Sequence, residues 1–289
     1  MKALTILITG ATAGIGRHAA LSLARAGHRV FATGRREGAL ETLRAEANGT
    51  LLETLTLDVT SASSIAEAKL EIERRTNGYG IDALVNNAGY GLIGPLEMID
   101  DADLRAQFDT NVFGLMAVTR AFLPAMRDRR AGRIINVSSV GGRMTFPLMG
   151  AYHASKYALE ALSDALRLEL RPMGVHVALI EPGPIRTEFN DRAMEWAGKY
   201  KATASPYESV LAKADAMRAQ LEKSSVGPES VVRAIVKAIE SDRPRPRYLA
   251  PFSMHFAIAI MALLPTRLSD ALFRAVYGLT PRAMLGAPA

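Results

Sequence analysis

The chain has 289 residues, 49% of them apolar and 22% charged, with a net charge of +6. That length and balance suit a globular protein with a sizeable core, built as one large α/β domain or two small ones. The absence of cysteine excludes disulfides and thiolate metal sites. The five histidines (His18, His28, His153, His176, His255) show no metal-ligand spacing, so no metal is expected. The basic residues are scattered and accompany no binding motif, so an anionic small ligand suits the charge better than nucleic acid.

The opening "MKALTILITG" has too short an apolar run for a signal peptide and no cleavage-like site. It reads as a first buried strand over 4–9, and the expected compartment is the cytoplasm. Thr9-Gly10-Ala11-Thr12-Ala13-Gly14-Ile15-Gly16 then opens a helix over 15–26. Glycines there let the backbone turn tightly and approach a pyrophosphate, and the helix N-terminus adds free N–H groups and partial positive charge. The spacing is G-x-x-x-G-x-G, not G-x-G-x-x-G. A second strand, 29–33, leads into Gly34-Arg35-Arg36. A free ribose 2′-hydroxyl would call for an acid at this tip. Two guanidinium groups suit a 2′-phosphate instead, so NADP(H) is expected over NAD(H).

The alternation continues with a helix at 37–47, a strand at 51–57, a helix at 61–76 and a strand at 82–86. A long helix at 101–129, a strand at 133–138, a helix at 152–172 and a strand at 175–180 follow. Strand and helix repeated in this way predict an α/β fold, a doubly wound parallel sheet with helices on both faces. Ligands bind such sheets at the carboxyl ends of the strands. Asn136-Val137-Ser138 matches a glycosylation sequon, but it lies in a predicted buried strand and is discounted. Beyond 180 come a proline- and glycine-rich loop, "EPGPIRT", and an irregular helical region rich in Met194, Trp196, Tyr200, Tyr207 and Met217. A helix at 228–240, a stiff extended link at 242–248 and an apolar tail complete the chain. The apolar run of the tail is shorter than the ~20 residues that span a bilayer.

Tyr152 and Lys156 sit at i and i+4, so on a helix they share a face. On spacing alone they are two half-exposed residues at a helix start. Their neighbours along the chain change that. The T-G-x-x-x-G-I-G loop (9–16) is followed by Asp58-Val59, Asn86-Asn87-Ala88-Gly89, Asn111, Ser139, Tyr152-x-x-x-Lys156, and Pro182-Gly183 with Thr187. In this order and spacing the first 190 residues resemble the short-chain dehydrogenase/reductase superfamily. "NNAGYGLIGPLE", "SSVGG" and "PESVVRAIVKAIESDRPRPRY" look most like its 17β-hydroxysteroid and retinol dehydrogenase branch.

The resemblance implies a single Rossmann-type domain over 1–289, with a substrate lid at 188–226; the apolar C-terminal extension at 249–289 departs from the family pattern. The resemblance also implies Tyr152 as general acid or base, Lys156 lowering the tyrosine pKa and holding the nicotinamide ribose, and Ser139 bonding the substrate oxygen. Asn111 would support a water linking Lys156 to solvent. The thirteen-residue gap to Tyr152 matches the family and favours Ser139, with Ser138 as the fallback. For the cofactor, Gly10, Thr12, Gly14, Ile15 and Gly16 would cradle phosphates, and Arg35 and Arg36 the 2′-phosphate. Asp58 and Val59 would meet the adenine, and Asn87, Ala88 and Gly89 the adenosine side. Pro182, Gly183, Ile185 and Thr187 would hold the nicotinamide.

Met144, Phe146, Leu148 and Met149, with the aromatic lid region, suggest a large apolar pocket and a lipophilic carbonyl or alcohol as substrate: steroid-like, retinoid-like or fatty-chain. The same residues read equally as core and lid filling. The tail has three readings: a cover over the pocket, an oligomer contact, or a weak membrane-surface contact. The helices at 101–129 and 152–172 resemble those that pair subunits in this family, so a homodimer or homotetramer is expected. The alternative function is a non-catalytic NADP(H)-sensing protein on the same fold.

Overall fold

A computed structural model of the chain describes residues 3–201, 205–213, 219, 223, 225–281 and 284. Among these, seven strands form one parallel sheet: β1 (Thr5–Ile8), β2 (Arg29–Gly34), β3 (Leu52–Thr56), β4 (Ala83–Asn86), β5 (Gly132–Val137), β6 (Val175–Pro182) and β7 (Arg247–Ala250). Their order is β3-β2-β1-β4-β5-β6-β7. The chain winds outward from β1 to β3, crosses back, and winds the other way from β4 to β7. The β1–β4 boundary is therefore the switch in strand order, where a crevice opens at the carboxyl ends.

Both faces of the sheet are buried, and the side chains alternate between them. Ile6, Ile8, Val30, Ala32 and Val85 enter one core cluster, with helices α1 (Gly14–Arg25) and α2 (Glu37–Glu46). Leu7, Phe31, Leu84 and Ile134 enter the other, beneath α3 (Ala62–Arg75) and α5 (Leu115–Asp128). The near-continuous apolar strands of the sequence reflect this double burial.

The predicted helix over 101–129 is three elements: α4 (Asp101–Phe108), a π-helical segment (Asp109–Gly114) and α5. The predicted helix over 152–172 is α6 (Gly150–Leu170), so Tyr152 lies in its first turn. The lid region holds α7 (Glu188–Lys201), α8 (Glu208–Leu211) and a bridge from Ile185 to Val226. Met217 lies outside the described residues, as does the side chain of Met194. The helix predicted at 228–240 is α9 (Glu229–Glu240), and the tail folds as α10 (Met254–Leu263) and α11 (Thr266–Tyr277).

The extended link expected at 242–248 runs into a strand instead. β7 pairs with β6 from Leu179↔Arg247 to Pro182↔Ala250. Four residues directly after two prolines carry too little alternation to register as a strand. The tertiary structure supplies what the pattern lacked: Tyr248 and Ala250 point into the core, and β6 offers an open edge.

Candidate active site

Polar residues are built into the ends of β1 and β4 as braces. Thr9 Oγ1 accepts hydrogen bonds from the backbone N–H groups of Asn87 and Ala88, both at 3.0 Å. In return Asn87 Nδ2 donates to the carbonyls of Thr9 and Gly10 at 3.1 and 3.0 Å. The glycine loop is thus clamped by the strand that faces it across the switch. Gly10 has φ +64°, and a Cβ there would stand 2.8 Å from Ala88 Cα. Only glycine combines that conformation with that approach. At the tip of β2, a Cβ on Gly34 would meet Thr12 at 2.5 Å.

The loop feeds the N-terminus of α1, whose N-cap residue, Ala13, offers no side-chain acceptor. The free N–H of Gly14 is taken by the carboxylate of Glu188, at 3.1 Å. An anion from the far side of the chain already sits where a phosphate would, so the residues fit the anionic part of a dinucleotide. Thr187 lies over the same point, 3.3 Å from where a Gly14 Cβ would be.

Around this loop, Arg35 and Arg36 are exposed, and among the described residues no ion pair engages either. Asp58 closes a turn, its Oδ1 accepting from Thr60 N and Oγ1 at 2.9 and 2.7 Å. Burial works to raise its carboxyl, but those two bonds and nearby Arg35 hold it below the usual range. Val59 and Ile185 are buried in the two core clusters, and Ile15 packs against one of them. Pro182 ends β6, and Gly183 N–H donates to Ala250 O at 2.8 Å.

The second half of the site lies where α6 begins. Tyr152 and Lys156 are both buried, on one face one turn apart. The Tyr152 hydroxyl lies beside Ser139, whose Oγ accepts from Gly141 N at 3.0 Å. Lys156 Nζ lies 5.8 Å from the centre of the Tyr152 ring and donates to Val137 O at 2.9 Å. Burial pushes the phenol up to about 12, with neighbouring Ser139 pulling the other way. The same burial brings the lysine down to about 8, against the field of Glu160. Phe189 of α7 and His153 flank the phenol, their ring centres 5.6 and 5.7 Å away.

Asn111 reaches the site because the π-helical segment breaks the regular helical ladder there. Its Oδ1 accepts from Tyr90 N at 3.1 Å, and its Nδ2 donates to Tyr90 O and Ser155 Oγ, both at 3.0 Å. Gly89 leaves the space between: a Cβ on it would stand 3.0 Å from Asn111 Oδ1 and 3.9 Å from Lys156 Nζ.

Ser138 lies beside the Glu160 carboxylate, further along α6. There Arg247 of β7 bridges Glu181 at 3.0 Å, Glu160 at 3.2 Å and Asp164 at 2.5 Å, and Arg143 lies 3.4 Å from Glu181. Sequence reasoning missed this cluster, along with Thr9 and Ser155. Glu160 continues the Tyr152–Lys156 period by one more turn, which was a usable signal. Arg247 carried none. Among the described residues no group of three metal-ligating side chains gathers.

A family model described as short chain dehydrogenase matches residues 4–198. The chain belongs to the short-chain dehydrogenase family. This short-chain dehydrogenase is 39% identical over 268 residues to the uncharacterized oxidoreductase YbbO of Escherichia coli, covering 92% of each chain. It is 36% identical to bovine retinol dehydrogenase 8, over 91% of this chain and 86% of that one. It is also 36% identical to human 17-beta-hydroxysteroid dehydrogenase type 1, over 97% and 88%. A solved short-chain dehydrogenase from Streptomyces avermitilis superposes with TM-score 0.75 at 31% identity, covering 95% of this chain and 98% of the other. The resemblance read from the motifs therefore holds, for the family and for its retinol and hydroxysteroid dehydrogenase branch.

Proposed function

We propose that this oxidoreductase interconverts a carbonyl and an alcohol with NADP(H), on a lipophilic substrate. The observation that carries the reading is the buried phenol of Tyr152 beside Ser139, with Lys156 Nζ 5.8 Å from the ring centre. A phenol held near 12 stays protonated at neutral pH and is ready to donate. The nicotinamide, when bound, supplies a hydride to the carbonyl carbon. Tyr152 gives its proton to the carbonyl oxygen, which Ser139 also hydrogen-bonds. The Lys156 ammonium stabilises the phenolate left behind, which lowers the effective pKa during the step. Asn111 positions this machinery by tying the Tyr90 loop to α6 through Ser155.

The exposed guanidiniums of Arg35 and Arg36, which enter no ion pair among the described residues, support the choice of NADP(H). The apolar cluster of Val140, Met144 and Ile258, with Phe146 packed on it, supports a lipophilic substrate. Exposed Phe113 before α5 and exposed Tyr157 and Leu168 on α6 support pairing of subunits through these helices.

The test is NADPH oxidation at 340 nm with steroid, retinoid and fatty-chain carbonyls, wild type beside Tyr152→Phe. The expected result is turnover of at least one lipophilic carbonyl, reduced about 10²- to 10⁴-fold in the variant. Turnover confined to small polar carbonyls would overturn the substrate class. NADPH binding without turnover of any panel member would favour a cofactor-sensing role.

A further inference from the structure

From Tyr248 to Thr266 the chain contains no Asp, Glu, Lys or Arg. Helix α10 fills most of that stretch and is apolar on two opposite faces. One face packs inward: Ile258 is buried against Val140 and Met144. The opposite face carries Phe256, Ile260 and Leu263, spaced for a single stripe and 66, 61 and 85% exposed, and Phe252 in the turn just before the helix is 72% exposed. Helix α11 repeats the arrangement. Phe273 turns in, its ring 5.3 Å from that of Phe146, while Leu268, Leu272 and Val276 form an exposed stripe. Of the fifteen large apolar side chains exposed among the described residues, seven fall within residues 252–276. Scattered apolar residues on a surface need no explanation, but a run this concentrated marks an interaction surface.

Charge identifies the partner. From Asp242 onward six arginines stand against two aspartates, which is +4 of the chain's +6. Arg247 is engaged by buried Glu181, but Arg243, Arg245, Arg267 and Arg274 are exposed. On α11 the helical positions of Arg267 and Arg274 fall together at one border of the exposed apolar arc. An apolar stripe edged by arginines is the pattern of a helix that lies in a membrane interface. A symmetric contact with a second copy would instead bring like-charged borders towards each other.

We propose that α10 and α11 form a docking surface for an anionic lipid bilayer. Phe256, Ile260 and Leu263 enter the headgroup–acyl boundary, and Arg267 and Arg274 meet lipid phosphates. No described helix is long and apolar enough to cross a membrane, so the contact is interfacial and reversible. The docked face lies close to the chemistry, because Phe146, which backs Phe273, also contacts His153, the neighbour of Tyr152. The surface stands on its own geometry and does not depend on which carbonyl compound is reduced.

The experiment is sedimentation of the full chain with vesicles of phosphatidylcholine, with and without phosphatidylglycerol, at low and high salt. Analytical ultracentrifugation without vesicles gives the oligomeric state. The expected result is binding about tenfold or more tighter to the anionic vesicles, weakened by salt. Arg267→Gln with Arg274→Gln should remove the anionic preference. Phe256→Ser, Ile260→Ser and Leu263→Ser together should abolish binding to both vesicles with the oligomeric state unchanged. Circular-dichroism melting checks that each variant folds. If the triple variant does not fold, the arginine pair and the salt dependence of the wild type still decide. Three outcomes would overturn the proposal: no binding by folded wild type, binding indifferent to lipid charge and to the arginine pair, or an oligomer that the triple variant dissolves.

Discussion

Tyr152 and Lys156 are shifted in opposite directions by one cause, burial, which disfavours the charged form of each. Of the two, the lysine at about 8 is the one that titrates within reach of physiological pH. Carbonyl reduction should therefore fall as pH rises through about 8 and the ammonium is lost. Lys156→Arg should be slower but lack that alkaline limb, read as kcat/KM against pH, since a guanidinium stays protonated. At the β2 tip, alanine at both Arg35 and Arg36 should weaken NADPH binding roughly 10- to 100-fold and leave NADH unchanged, measured by fluorescence titration. An unchanged ratio of the two affinities would remove the 2′-phosphate assignment. Glu160 makes a third residue-scale case. Its carboxyl is raised to about 7 by burial, with adjacent Glu181 adding to the rise and Ser138 and Arg247 opposing it. A raised carboxyl contributes stability that is complete below the unfolded value near 4.5 and lost as pH rises through about 7. Thermal melting should show wild type losing ground to Glu160→Gln across that window, by a few degrees.

At the level of elements, position follows from small breaks in regularity. The π-helical segment turns Asn111 towards Tyr90 and Ser155, where an unbroken helix over 101–129 would have carried it past them. The Asn87 clamp does the same for the glycine loop. Asn87→Ala removes two hydrogen bonds to the Thr9 and Gly10 carbonyls, at about 1 kcal/mol each. The expected result is a Tm a few degrees lower and looser dinucleotide binding, read by melting with and without NADPH. Both breaks were half legible. The motif residues Asn87 and Asn111 stood out in the sequence, but their partners did not. Thr9, Tyr90 and Ser155 are ordinary residues until the fold brings them within 3.1 Å.

For the whole molecule, the sheet continues into the tail. β7 covers the edge of β6, and Arg247 compensates the buried carboxylates of Glu160 and Glu181. A chain ending after residue 250 keeps both functions and should remain folded and soluble. A chain ending after residue 244 loses them, exposing a strand edge and leaving two buried acids without their arginine. The expected result is insoluble protein, checked by expression and sedimentation. On this prediction the boundary between core and appendage lies after β7, at Ala250, next to the start at 249 expected for the apolar extension.

Periodicity, glycine spacing and the ordered motifs were enough to define the alternating strands and helices, the single doubly wound sheet and the pairing of Tyr152 with Lys156. Each rests on interactions between residues close in the chain, or on a burial pattern that repeats along it. Three further features came only from the tertiary structure. They are the seventh strand, the Arg247 cluster and the two-faced apolar tail. Each depends on a neighbour far away in sequence: an open sheet edge, a buried carboxylate, or a packed Phe146. A local pattern carries no record of which distant surface will be waiting.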